Sequence, residues 1–238
     1  MKTNLPNKGK NLIIEVAGQK YARIPIKTNL VNFGDDLMSI IEKYISLEFG
    51  EFQNKDYLVI SEKIISVCQN NFRHISTVKV GWLAKLIVKG VKKYPNDIGF
   101  SRAEKMQVAI DISGRPRMIL AMILGILGKI VGIRGIFWIV AGKRVSEIDG
   151  FNPDAMDMYK EHAILPPENP VKTCQEIENK FDFPTVIIDG NNINTKILGK
   201  SKKVLLNEKE LRLILLDNPM GQNDEMTPFI VIRKMQKE

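Results

Sequence analysis

The sequence predicts an α+β fold with a mixed sheet, on three observations. Short apolar runs recur along the chain and outnumber its long helical stretches. Runs and helices follow one another without a strict strand–helix–strand alternation, and turn signals of Gly, Pro and Asn separate them. A chain of 238 residues suits one large domain or two small ones. We expect a single unit over residues 1–238, with a second lobe around residues 70–170.

Leu12–Val16 and Tyr21–Ile26 are apolar runs joined by a Gly-containing turn, and read as two strands. Asp35 and Asp36 precede Leu37–Ile45, where apolar residues recur at three- and four-residue spacing; this is a helix with acids at its positive end. Asp56–Ser61 reads as a buried strand, and Gly81–Lys93 has helical periodicity. Gln107–Ile112 reads as a strand before the turn Ser113–Pro116. Met118–Gly128 (MILAMILGILG) is too short to span a bilayer and reads as a buried element. Gly135–Gly142 reads as a strand ending in a turn. Prolines break up Phe151–Pro170; Val171–Lys180 is a helix and Phe183–Asp189 a buried strand. Leu211–Leu216 and Phe229–Arg233 are the last apolar runs.

Composition narrows the function classes. A net charge of +8 favours anionic partners in general: nucleotides, polyglutamate-like molecules, nucleic acid. The basic residues form no run of five, so no nucleic-acid arm is expected. Cys68 and Cys174 lie far apart and in no metal-like spacing, which points to a reducing compartment and to cysteines used as small hydrophobes. The first eight residues have no apolar core and do not read as a signal peptide. His74 and His162 sit in no nucleophile motif, and Walker A, GxSxG and HExxH patterns are absent.

Four segments hold residues with chemical potential, each with a bland reading beside the functional one. In Val186–Asn192 an acid ends a buried strand before a Gly turn. Asp189 either caps that turn or presents a carboxylate to a hard cation. Asp217–Pro228 is a polar, Gly-containing loop between apolar runs: a surface hairpin, or a cradle of backbone N–H groups for phosphate. Lys63 follows a strand, as a solvent-facing lysine or as a mobile charge for phosphate. Asp149 again precedes Gly and is a possible partner for Asp189 on one metal.

Taken together, these segments resemble the coenzyme F420-0 gamma-glutamyl ligase family. IPIKTNLVNFGDDLMSII is similar to the family's opening strand, nucleotide loop and Gly-Asp-Asp-Leu helix start. DYLVISEKIIS is similar to its second block, VIIDGNN resembles its metal-binding strand end, and MGQNDEMTPFIVIR looks like its C-terminal Gly-Gln-x-x-Glu-x-x-Pro block. Departures are visible: Val67 stands where the family carries a lysine, and Gly190 where it carries Thr. The central Gly-x-Asp-x-Ser-Asn motif is not recognisable, with Asp149 as its stand-in.

The resemblance implies a two-lobed fold in an intertwined homodimer. It implies an enzyme that joins L-glutamate to a carboxylate acceptor such as F420-0, using GTP and Mg2+ or Mn2+, with K+ as a further cation. Thr28, Asn29, Leu30, Val31, Glu62 and Lys63 would contact the nucleotide, Lys63 in a catalytic role. Met220, Gly221, Gln222, Asn223, Asp224, Glu225 and Thr227 would border it. Asp149, Asp189 and Gln222 would be the metal ligands. A cytoplasmic protein with small-molecule substrates follows, with neither membrane nor nucleic acid as partner. The alternative is a non-catalytic nucleotide- or RNA-binding protein that keeps the ligase fold.

Overall fold

The computed structural model describes residues 5–50, 52–91, 100–152, 156–190, 195–221 and 225–236. In chain order the elements begin with β1 (Ile13–Val16), β2 (Gln19–Ile26), α1 (Leu37–Ile41), β3 (Tyr57–Ser61), α2 (Glu62–Cys68) and β4 (Phe72–His74). Then come α3 (Trp82–Val88), α4 (Ala103–Ser113), α5 (Arg115–Ile130), α6 (Ile136–Ala141), α7 (Lys143–Ser146), β5 (Asp149–Gly150), α8 (Asp157–Lys160) and β6 (His162–Ile164). The chain ends with α9 (Pro170–Phe181), β7 (Thr185–Gly190), β8 (Thr195–Lys200), α10 (Glu208–Ile214) and β9 (Phe229–Lys234). The class is mixed α+β. The chain divides into two compact units, Met1–Asn70 with Pro167–Glu238, and Asn71–Pro166.

Unit 1, the discontinuous one, is built on a six-stranded sheet of order β1-β2-β9-β3-β7-β8. β3 and β7 are parallel and the other pairs antiparallel. The central strands β3, β7 and β9 carry consecutive buried residues, as strands covered on both faces must. Val59, Val186, Ile188, Ile230 and Ile232 pack against Leu211, Ile214 and Leu215 from α10 and the residue after it. Asp36 caps α1: its carboxylate accepts from the Ser39 N–H at 2.9 Å and from the Ser39 hydroxyl at 2.6 Å. Those bonds hold the Asp36 carboxyl below its ordinary range. After α1 the coil widens to a π-type turn over Glu42–Phe49 and closes on Gly50, whose φ of 64° suits glycine.

Two ion pairs, each with one buried partner, pin this sheet. Arg23, 1% exposed, pairs with Asp217 and donates to the carbonyls of Asn11 and Ile214. Arg233 holds Asp56, itself 1% exposed, through Nη2 at 2.7 Å and Nε at 3.0 Å.

Unit 2 is mainly helical, with a small sheet of order β4-β6-β5. Leu83, Met106, Ala109, Met118, Ala121 and Phe151 are among its core residues.

Three segments differ from the form their sequence predicts. Gln107–Ile112 is helix, part of α4. Six consecutive residues there, Lys105–Ile110, are buried, so the polar face that marks an amphipathic helix is missing. Gly135–Gly142 is also helix, α6, despite its β-branched and aromatic residues. The cause is tertiary. A Cβ on Gly125 would sit 2.9 Å from Cβ of Phe137, and one on Gly128 would sit 2.5 Å from Cδ1 of Ile136, so the two glycines of α5 make the groove in which α6 lies. Finally, Met118–Gly128 is helical but only partly buried: Met118, Ala121 and Gly128 face the core while Leu120, Ile123, Ile126 and Leu127 are exposed.

The apolar run Leu211–Leu216 lies mostly within α10. Its start carries a capping box, with the Asn207 side chain accepting from the Glu210 N–H at 2.9 Å and Glu210 accepting from the Asn207 N–H at 3.0 Å.

Candidate active site

The registers of unit 1 bring four chain segments to one edge of the six-stranded sheet. β3 and β7 run parallel with Ser61 opposite Ile188, so Glu62 and Lys63 leave the sheet beside Asp189 and Gly190. β9 runs the other way, with Phe229 opposite both Ile60 and Ile26, so its start lies at the ends of β3 and β2. Backbone bonds close the arrangement. The Ser61 N–H donates to Pro228 O at 3.0 Å, and the Thr28 N–H to Met226 O at 2.9 Å. Thr28–Val31, Glu62–Lys63, Asp189–Gly190 and Met226–Pro228 therefore meet where the carboxyl ends of two parallel strands leave a sheet, a common place for ligands in α/β folds.

The loop before β9 folds back onto the same edge. The Asn218 side chain donates to Gly221 O at 2.7 Å. A Cβ on Gly190 would lie 3.1 Å from Oδ1 of Asn218, so Asn218 occupies the space that the expected Thr would need. Gly221, at φ +80°, has the Glu225 carboxylate against it: a Cβ there would fall 2.5 Å from the carboxyl carbon. Thr227 is buried and donates to Met220 O at 2.5 Å. Gln222, Asn223 and Asp224 lie outside the described residues. The residues flanking them, Gly221 and Glu225, join this edge through Asn218, which packs on Gly190, and Thr227.

Exposure sorts the remaining candidates. Lys63 is exposed, while Glu62 is half-buried with one carboxylate oxygen fully covered. Thr28 and Val31 are buried, Asn29 and Leu30 exposed. Asp189 is half-buried. Asp149 belongs to unit 2, where it opens β5 opposite Ile164. Val67, which replaces the expected lysine, lies on the buried face of α2 and is almost fully covered, a place that suits an aliphatic side chain. Burial lifts the thiols of Cys68 and Cys174 to about 12, so neither is a ready nucleophile at neutral pH.

Asp189 would offer the kind of hard oxygen donor that Mg2+ or Mn2+ takes, with Gln222 of the resemblance outside the described residues and Glu62 as a further carboxylate at the same edge. Among the described residues no group of three His, Cys, Asp or Glu gathers.

Sequence reading missed the residues that shape this edge from outside the four segments. The Tyr44 hydroxyl accepts the Asn29 N–H at 3.0 Å and so fixes the first loop. The Asn7 amide bridges Pro219 O at 2.9 Å and the Thr227 hydroxyl at 2.7 Å, tying the last loop to the N-terminal segment. Arg23 anchors Asp217 at the head of that loop. Only the buried arginine carried a sequence signal, as a charge in the middle of an apolar strand.

An open groove of about 840 Å3 lies elsewhere in unit 1, between the start of α9 and the end of β8, with Lys172, Lys200 and Lys202 on its walls. β8 runs antiparallel to β7, so the end of β8 lies at the opposite edge from Asp189.

No curated protein matches the chain. The family model of F420-0:Gamma-glutamyl ligase matches residues 25–188. The matched span contains Thr28–Val31, Glu62, Lys63 and Asp149, and stops one residue before Asp189. With well over half its length inside that match, the chain belongs to the F420-0:gamma-glutamyl ligase family.

Proposed function

We propose that the protein is a GTP-dependent acid–amino-acid ligase, joining L-glutamate to a carboxylate acceptor such as coenzyme F420-0. The observation that carries the reading is the meeting of Thr28–Val31, Glu62–Lys63, Asp189–Gly190 and Met226–Pro228 at one sheet edge, within a chain of the ligase family.

The chemistry needs no protein nucleophile. The acceptor carboxylate attacks the γ-phosphorus of GTP; an O–P bond forms, the bond to the bridging oxygen breaks, and GDP leaves. The amine of glutamate then attacks the carbon of the acyl phosphate. A C–N bond forms, inorganic phosphate departs, and the amine proton passes to phosphate or solvent. Asp189 and Gln222 would hold a divalent cation, whose contribution is to neutralise phosphate charge. Lys63, exposed at the start of α2, would reach the transferring phosphoryl group as a mobile point charge. The loop Met220–Thr227 and Thr28–Val31 would position the nucleotide, with Tyr44 and Asn7 holding those loops in place.

The test is incubation with F420-0, L-glutamate, GTP and Mn2+, read by mass spectrometry. The expected result is the mass gain of one glutamate, reduced on the order of a hundredfold by Lys63→Ala. No gain, together with a melting temperature raised by single-stranded RNA and not by GTP with Mn2+, would instead favour a binding protein that keeps the fold.

A further inference from the structure

Unit 2 turns an apolar helix face outward. On α5, a helix of 16 residues, Leu120, Ile123, Ile126, Leu127 and Ile130 are 47–75% exposed. At 100° per residue they fall within an arc of roughly 120° on one side of the helix. Past the end of α5 the stripe continues through Val131 and Ile133, 68% and 56% exposed, and Ile139 on α6 is 77% exposed. Scattered apolar side chains are normal on a surface, but a run of this many along one helix and its following turn is not.

The charge around the stripe is one-sided. From residue 112 to residue 146 the sequence has six basic residues and no acidic one: Arg115, Arg117, Lys129, Arg134, Lys143 and Arg144. All six are exposed. On the helix wheel Arg115 and Lys129 fall on one side of the apolar arc and Arg117 on the other. The longer side chains have local anchors, Arg117 to Val140 O at 2.7 Å and Lys129 to Gly90 O at 3.0 Å.

We propose that this face docks on the surface of a lipid bilayer rich in anionic headgroups. An exposed apolar stripe flanked by Lys and Arg suits a helix lying in the interface, with aliphatic side chains at the acyl boundary and cations at the headgroups. The sign of the rim selects the occupant. A second copy in a two-fold contact would bring two basic rims together, whereas an anionic surface complements the rim of Arg115, Arg117 and Lys129. The contact is peripheral: among the described residues no helix is long and apolar enough to cross a membrane. The proposal departs from the expectation that the chain has no membrane partner, and it does not depend on the ligase reading.

The full chain is tested by co-sedimentation with phosphatidylglycerol–phosphatidylcholine vesicles and with pure phosphatidylcholine vesicles. Both tryptophans, Trp82 and Trp138, lie in unit 2, so a blue shift of their emission reports on this unit alone. Binding is expected to the anionic vesicles only and to weaken steeply with salt. Ile126→Gln/Leu127→Gln removes two exposed side chains and is expected to weaken binding at least about tenfold with an unchanged melting temperature. Arg115→Gln/Lys129→Gln should weaken it about twenty-five-fold, each cation near an anionic surface contributing about fivefold. No binding by the folded wild type overturns the proposal, as does binding that both variants leave unchanged. Equally fatal is a concentration-dependent dimer, seen by sedimentation velocity, that the Gln variants abolish while vesicles bind nothing.

Discussion

The two units of this chain put opposite kinds of surface to use. Unit 1 buries its apolar residues in a sheet and gathers polar groups where four segments leave one edge. Unit 2 buries a helical core and leaves an apolar stripe outside it. Charge divides the same way. Residues 71–166 hold fifteen basic and eight acidic residues, a net +7, while the whole chain is +8. The basic character that composition reports therefore belongs almost wholly to unit 2. A net charge read from a whole chain can mislead about the site: the candidate nucleotide edge sits in the nearly neutral unit, and its affinity for phosphate would depend on placed groups rather than on a general field.

Substitutions can break or sharpen this contrast. The largest effect is expected from Ile60→Ala. Ile60 is fully buried in β3, paired with β9 and β7, and its loss should cost about 3 kcal/mol in denaturant unfolding. It should also deprotect the amides at the candidate site's sheet edge in hydrogen exchange. Gly128→Val should cost about 2 kcal/mol, because its side chain would displace Ile136 and meet the carbonyl of Ile133. Faster exchange should appear over residues 115–141, with the amides of β3 and β7 unchanged; deprotection across the six-stranded sheet would erase the distinction drawn between the units.

Asn207→Ala removes one half of the α10 capping box and should cost about 1 kcal/mol by thermal or chemical unfolding. The smallest effect is that of pH on unit 2. His162 faces His74 across β4 and β6. Burial first, and the electrostatic interaction with His74 second, hold the His162 pKa below its ordinary 6.5, while a backbone hydrogen bond at Met158 and then the Glu161 carboxylate act the other way. The unfolded chain then takes up this proton more readily than the folded one. Stability should fall as pH drops through about 6.5 and level off below the folded pKa. His162→Phe should flatten that slope in an unfolding series across pH 5–8.

The ease of reading the sequence followed the same division. In unit 1 the strands β1, β2, β3, β7 and β9 were legible because each is a short apolar run between turn or acidic residues, and α1 because Asp36 precedes it. α10 was missed although its Asn-x-x-Glu start was in plain view. In unit 2, α4 and α6 read as strands. α4 is buried over six successive residues and shows no polar face. α6 owes its conformation to Gly125 and Gly128 of another helix, which no local window contains. Of the candidate site, Lys63 and Asp189 were legible as the ends of apolar runs. Their meeting with Thr28 and Met226 depends on strand order, which pairs β9 between β2 and β3 from the far end of the chain. Tyr44 and Asn7 gave no signal, because a tyrosine in a helical stretch and an asparagine near the N-terminus are ordinary until their partners are known.

The central claim is that the edge around Asp189 holds a cation against a purine nucleotide. Calorimetric titration of GTP in the presence of Mn2+ tests it most directly, on the wild type and on Asp189→Asn, which keeps the shape of the side chain and removes its charge. The account predicts saturable, metal-dependent binding that Asp189→Asn weakens at least about tenfold at an unchanged melting temperature. Equal affinity in the two proteins, or GTP binding indifferent to Mn2+, would contradict it.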